Sequence, residues 1–553
     1  MRQHGEQVSH MASGSYDLKD SLQQLRVSGV ASIGVTLVEQ IIRDPASPAH
    51  LLQALSAEFA ANREASAASA PPYLQLLCQM LQKSCRRAPI GVCEGILVPL
   101  IHAVRESAAL GWLTMLTQCG LAVSVLLLRT EAVPAAQVLS GLGSELRAEV
   151  LADRAALLAV LRLFAEELHA PAAKVTVSPM RRDAVVEALR LEAPALLAQL
   201  ECWATPPAEC ARCAVAPLLA TTTVLDCARA WCDAGLVSAR LACESALLSN
   251  GSVRALGEAR LAAHASELVC AALGMGCEPG ESPAGGSPPP QQRRPRQKEG
   301  RPRGGAAAAA GGDPGGGAEG AAASDARMLP RYAASVHERL AELPLTLQTA
   351  AVVCQACVSL TTHLLRRGTE LEDILRMHPA AESAAAASQP STELGDQLGH
   401  AAAAAAATAR VDIAEAHAGL QRYLPMLAAA SCELSATDSA EAHNTWVVLQ
   451  DLADGGADEA RAAADTLLAS MAPHRAPLLG AVLSSAGRLP ADFEAMSEGE
   501  RDDVLAAREA GRGLLRGAIF VNRDHDLLSI SASFTYDGGH FSHRWTPRRR
   551  TPR

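Results

Sequence analysis

Aromatic side chains are scarce in this chain: six Phe, five Trp and five Tyr among 553 residues. Neither basic run, 291–303 nor the Arg-rich end, has interleaved aromatics for base stacking. A globular enzyme of this size would spend more of them on its core and pocket. Strand-like alternation is nearly missing as well; Val521 to Tyr536 alternates, and only weakly. Met1 to Ser15 is polar and lacks the apolar stretch of a secretory signal. No H-E-x-x-H and no G-x-S-x-G occurs, and the Gly cluster at 311–317 lacks the G-K-[ST] ending of a phosphate loop. The 16 His are dispersed without ligand spacing. These absences lead to the expectation of a non-enzyme without cofactor or metal.

What the chain has is Leu and Ala in helical register. Hydrophobic residues make up 49% of it, and roughly every 20 residues an apolar helical stretch ends at a Pro, a Gly or a short polar break. The stretch 157–168 shows the pattern. Leu157, Leu161, Phe164 and Leu168 fall at i, i+4, i+7 and i+11, while Arg162, Glu166 and Glu167 point elsewhere. Start signals recur: Ser47-Pro48 and Ser178-Pro179 read as caps before a first-turn Pro, and Ser497 with Glu500 reads as a capping box. Asp438 with Glu441 reads as a similar start, and Pro194 and Pro425 are expected to kink or break their helices.

The expected fold is all-α, a HEAT-repeat α-solenoid of antiparallel helix pairs. The segments read as a disordered leader at 1–16, a first solenoid stretch at 17–276, a low-complexity disordered insertion at 277–328, a second stretch at 329–517 and an irregular basic tail at 518–553. At about 40–47 residues per helix pair, the two stretches hold roughly ten or eleven repeats. The insertion carries Pro288-Pro289-Pro290 and a Gly cluster, from which no core is built.

The net charge of −10 conceals an asymmetry. Segments 291–303 and 544–553 each carry +5, which leaves −20 on the remainder. An acidic helical body suits basic protein partners and repels nucleic acid; plain solubility explains it equally well. Asp451, Asp454, Asp458 and Glu459, with Glu498, Glu500, Asp502 and Asp503, sit at expected helix ends. They serve either to offset helix dipoles or to hold Arg and Lys of a partner.

Several features carry a functional reading beside a plainer one. Cys210-x2-Cys213 with Cys227 and Cys232 has zinc-like spacing, but Cys227 and Cys232 fall in the apolar helix 224–236, so core thiols are preferred. Cys354-x2-Cys357 also falls in a helical run, which again favours core thiols and a reducing compartment. Asn250-Gly251-Ser252 matches a glycosylation sequon. Ser107 to Leu128 is 22 residues without a charge, long enough to span a bilayer. A buried helix pair with its turn at Gly120 is the preferred alternative.

A set of passages, in chain order, resembles the transportin-SR/importin-thirteen branch of the β-karyopherins. LLAVLRLFAEELH at 157–169 and RRDAVVEAL at 181–189 are similar to that branch's leucine-rich helix, Glu-Glu turn and Arg-started next helix. CARAWCDAGLVS at 227–238 resembles its W-x-x-x-G-h repeat, with Trp231 and Gly235 in place. SELVCAAL at 266–273, LPLTLQ at 343–348, HNTWVVLQDL at 443–452, APLLGAVLSSAGRLPADFE at 476–494 and GERDDVLAARE at 499–509 continue the series. The resemblance covers about 110–515 and implies a nuclear transport receptor: protein cargo, Ran in its GTP form and nucleoporins as partners, and residence in cytoplasm and nucleus. In that branch an arginine-rich helix of the C-terminal half takes Arg/Ser-rich cargo. This chain reaches near the middle of the family's length and has no counterpart of that helix, so no binding residue is carried over. The alternatives are a generic HEAT/armadillo scaffold and a membrane-associated helical protein using 107–128.

Overall fold

A computed structural model of the chain describes residues 35–63, 70–130, 142, 146, 151–170, 173, 176–204, 216–275, 327–377, 393–435, 437–455 and 493–521, with scattered positions between 469 and 481. Among the described residues every regular element is helical. Two compact units divide at Leu420/Gln421.

The first unit contains α1 (Val35–Arg43), α2 (Ser47–Arg63), α3 (Pro72–Cys85), α4 (Ile90–Ala109), α5 (Leu113–Arg129), α6 (Leu151–His169), α7 (Pro179–Ala204) and α8 (Ala216–Asp233). After α8 come the short α9 (Ala239–Glu244), a π-helical turn at Leu247–Gly251 and α10 (Ser252–Ala255). α11 (Ala262–Leu273), α12 (Leu329–Leu340), α13 (Leu347–Met377) and most of α14 (Glu393–Glu433) complete it. The second unit holds the end of α14, α15 (Ala440–Gly455) and α16 (Glu498–Val521).

Helices of the first unit pack in a row. α3 lies on α5, α5 on α6, α6 on α8, α8 on α11 and α11 on α13. Beside this row α2 packs on α4, α4 on α5 and α6, and α7 on α8. The sequence dictates this because each row helix buries an apolar stripe against its neighbours. On α5 the buried set includes Met115, Cys119, Ala122, Val123 and Leu126. At Gly120 an added Cβ would stand 2.8 Å from Leu163 Cδ1, so α5 and α6 approach through that missing side chain.

The uncharged run 107–128 is two helices, and its turn lies at Gly111. Gly120 sits inside α5, which corrects the expected turn position. Gly111 has φ +69, while Trp112 N–H reaches Ser107 O at 3.0 Å and Gly111 N–H reaches Ala108 O at 3.1 Å. That is a Schellman ending, which needs a left-handed residue. Trp112 then turns inward and stacks on Phe59, centroids 5.9 Å apart. No described helix is long and apolar enough to cross a membrane.

Other local expectations divide. Ser178 Oγ accepts from Arg181 N–H at 3.2 Å, as a cap before Pro179 should. Ser47 does not act that way: its hydroxyl is buried without a partner, and Asp44 Oδ1 instead accepts from Ala46 N–H at 3.0 Å. Pro194 and Pro425 do not break their helices, which run on through α7 and α14. Buried Ala193, Leu196 and Leu197 hold the chain around Pro194, and Leu424 and Leu427 do so around Pro425, so packing outweighs one lost backbone hydrogen bond. Glu167 is buried although its neighbour Glu166 is exposed, because Arg86 reaches it from α3's end.

Helices on either side of 277–328 pack on one another. α9 meets α12, Tyr332 Oη donates to Leu248 O at 3.1 Å and Ser266 Oγ donates to Gln348 O at 3.3 Å. In the second unit α15 packs on α16. There Trp446 is buried and its Nε1–H donates to Ser431 Oγ at 3.0 Å. The Ser497–Glu500 box is formed in both directions: Glu500 Oε2 accepts from Ser497 N–H at 2.7 Å and Ser497 Oγ accepts from Glu500 N–H at 3.4 Å.

Candidate functional site

Trp231 and Gly235 fix the end of α8 and with it the phase of the whole helix. Trp231 is fully buried, and its Nε1–H donates to Leu161 O on α6 at 3.2 Å. Gly235 has φ +62; Leu236 N–H bonds Trp231 O at 3.0 Å and Gly235 N–H bonds Cys232 O at 2.9 Å, a second Schellman ending. With Trp231, Ala228, Leu225 and Val224 turned into the core, helical geometry directs Asp226, Arg229 and Asp233 to the opposite side.

The neighbouring helices present the same kind of face. α6 buries Leu161, Phe164 and Leu168 and shows Arg162 and Glu166; α11 buries Ala265, Leu268 and Ala272 and shows His264 and Glu267. The result is a charged ribbon across three successive helices of the row. Arg162 lies 3.6 Å from Glu166 and 3.7 Å from Asp226. His264 Nδ1 lies 2.7 Å from Asp226 Oδ1, and Arg229 pairs with Glu267. Four carboxylates, from Glu166, Asp226, Asp233 and Glu267, face two guanidinium groups and one imidazole, so the ribbon is net negative. Desolvation raises the Asp233 carboxyl pKa most; Arg229 opposes this, and Glu267 and Glu166 push it further up.

Chemically this is an array of carboxylate acceptors with surplus negative charge, suited to guanidinium and ammonium groups. No group of three or more His, Cys, Asp or Glu is placed to hold a metal among the described residues. Cys227 and Cys232 are buried in α8, and burial pushes the Cys227 thiol up to about 12 and the Cys232 thiol higher still. Their partners in the zinc-like spacing, Cys210 and Cys213, lie outside the described residues. Cys354 and Cys357 are buried on α13, and burial also raises Cys357. Ser252 of the sequon is buried, with its hydroxyl donating to Leu248 O at 2.8 Å.

Of the acidic residues singled out from the sequence, Asp451 and Asp454 lie on α15, while Asp458 and Glu459 lie outside the described residues. Glu500 is engaged in its capping box, whose hydrogen bonds from Ser497 hold its carboxyl below the usual range. The ribbon was missed because its acids come from three separate helices. The signal that could have found it is the pairing of Trp231 with Asp226, Arg229 and Asp233 in one helix, which fixes the outward phase. No protein-family model matches the chain, and no curated protein matches it.

Proposed function

We propose that this chain is a non-enzymatic α-solenoid receptor that binds basic segments of protein partners. The observation that carries the reading is the net-negative ribbon of Glu166, Asp226, Asp233 and Glu267 across α6, α8 and α11. The row from α3 to α13, with α2, α4 and α7 beside it, supports the solenoid part, since stacked helix pairs offer repeated outward faces of this kind. Trp231, Gly235 and Trp446 occupy structural positions, so they hold the receptor together and leave binding to the charged face.

The finer reading is a nuclear transport receptor similar to the transportin-SR/importin-thirteen branch, shuttling between cytoplasm and nucleus with protein cargo, nucleoporins and Ran-GTP as partners. The collinear passages from 157 to 509 support it, and the W-x-x-x-G passage at 231–235 forms a buried Trp followed by a left-handed Gly. Pull-down with Ran loaded with GTP or GDP tests this reading. Retention of the GTP form alone is expected; equal retention, or none, leaves a generic HEAT/armadillo scaffold.

A further inference from the structure

α3 and α5 meet sulfur to sulfur. Cys78 Sγ stands 3.7 Å from Cys119 Sγ, although the two residues lie 41 positions apart in the chain, and both side chains are 1% exposed. We propose that this pair is a site of reversible oxidation, at which hydrogen peroxide converts the two thiols to a disulfide that locks α3 to α5. The proposal is independent of the charged ribbon on α6, α8 and α11.

The packing holds the two helices in the register such a bond needs. A disulfide brings its sulfurs to about 2.05 Å, so the pair has roughly 1.7 Å to close, about 0.8 Å for each side chain. About two turns further along α3, Arg129 at the end of α5 donates to Cys85 O and, at 2.8 Å, to Ala88 O. α3 and α5 therefore run side by side in the same direction, pinned at one end by this arginine and touching at the two thiols about 10 Å earlier. α5 is also fixed at the residue after Cys119, where Leu163 packs against Gly120. The finished bond would close a loop around α4 (Ile90–Ala109), so that three successive helices form one block.

The step balances with one peroxide. One sulfur, as thiolate, attacks a peroxide oxygen; the O–O bond breaks, leaving a sulfenic acid and hydroxide. The second sulfur then attacks the sulfenic sulfur, the S–O bond breaks and the S–S bond forms. The two sulfurs give up two electrons, and both peroxide oxygens leave as water with the two thiol protons. The Cys119 sulfur, and then burial, hold the Cys78 thiol well above its ordinary range, so the closed core reacts slowly. Peroxide enters when α3 opens locally from α5. On closing, a sulfenic acid at either sulfur finds its partner beside it with water excluded, which favours the disulfide over further oxidation. The same burial shields the bond from reductant once it is made.

Peptide mapping under non-reducing conditions tests this. The dilute full chain is treated with hydrogen peroxide, its remaining thiols are alkylated and the digest is read by mass spectrometry. A linked peptide joining Cys78 to Cys119, split by dithiothreitol, is expected. Oxidation should also raise the midpoint of thermal unfolding by about 2–5 °C. That rise should be absent in C78A and in C119A, each compared with its own reduced form. The mapping uses the unsubstituted chain, so it decides the matter even where a variant fails to fold. Alkylated Cys78 and Cys119 after peroxide treatment, links from either one to a different cysteine, or sulfinic acid in place of the disulfide overturn the proposal. A Cys78–Cys119 link that fails to raise the midpoint overturns it too, because the bond would then not lock the native packing.

Discussion

Arg86 grips Glu167 through two parallel hydrogen bonds, Nη1 to Oε1 at 2.6 Å and Nη2 to Oε2 at 2.7 Å, across 81 positions of the chain. The Glu167 side chain is 4% exposed and that of Arg86 18%. This fork ties the end of α3 to α6, the first of the three ribbon helices. Removing one partner of such a pair strands the other charge in the core. Arg86→Leu should therefore destabilise the chain by about 3 kcal/mol, whereas the double variant R86L/E167L should recover most of that loss. Urea unfolding of the two single variants and the double variant measures the coupling. Equal, additive losses would show that the pair does not act as a unit.

The two Schellman glycines make a second prediction. Gly111 and Gly235 sit at φ +69 and +62, where an L side chain costs roughly 1–2 kcal/mol. Gly235→Ala should lower stability by about that amount, and Gly111→Ala likewise. Gly120 differs: its backbone is ordinary helix and its constraint is the 2.8 Å approach of Leu163. Gly120→Val should overpack that contact at a cost of about 1–3 kcal/mol. Thermal unfolding separates the two kinds if Gly120→Val alone is relieved by Leu163→Ala.

His363 supplies a pH signature. Burial, then Arg367 and Arg366, lowers its pKa from 6.5 to about 4. The folded state therefore holds fewer protons than the unfolded state between those values. The stability from neutral His363 is complete above about pH 6.5 and is lost as pH falls toward 4. At about 1.4 kcal/mol per unit, the loss is on the order of 3 kcal/mol. His363→Gln should flatten this part of the pH–stability curve; an unchanged slope would remove His363 as its source.

Local features were legible in the sequence because they are local. The cap at Ser178, the box at Ser497 and Glu500 and the stripe through Leu161, Phe164 and Leu168 all follow from spacing within one or two turns. What spacing did not reveal depends on a partner elsewhere in the chain. Gly111 and Gly120 look alike in an uncharged run; one serves a left-handed turn and the other a close approach to α6. Glu166 and Glu167 are adjacent, yet Arg86 draws one inward and leaves the other on the ribbon. The ribbon itself joins Asp226 to His264 and Arg229 to Glu267 across 38 positions each, and only the packing of α6, α8 and α11 brings these residues to one face.

The central claim is that this face binds basic protein segments. Fluorescence-polarisation titration of an Arg-rich peptide against the unsubstituted chain and E166Q/D233N/E267Q, at 0.1 M salt, tests it most directly. Three lost charge-assisted contacts at about 0.5 kcal/mol each predict binding roughly tenfold weaker in the variant. Equal affinity for the two chains would contradict the account.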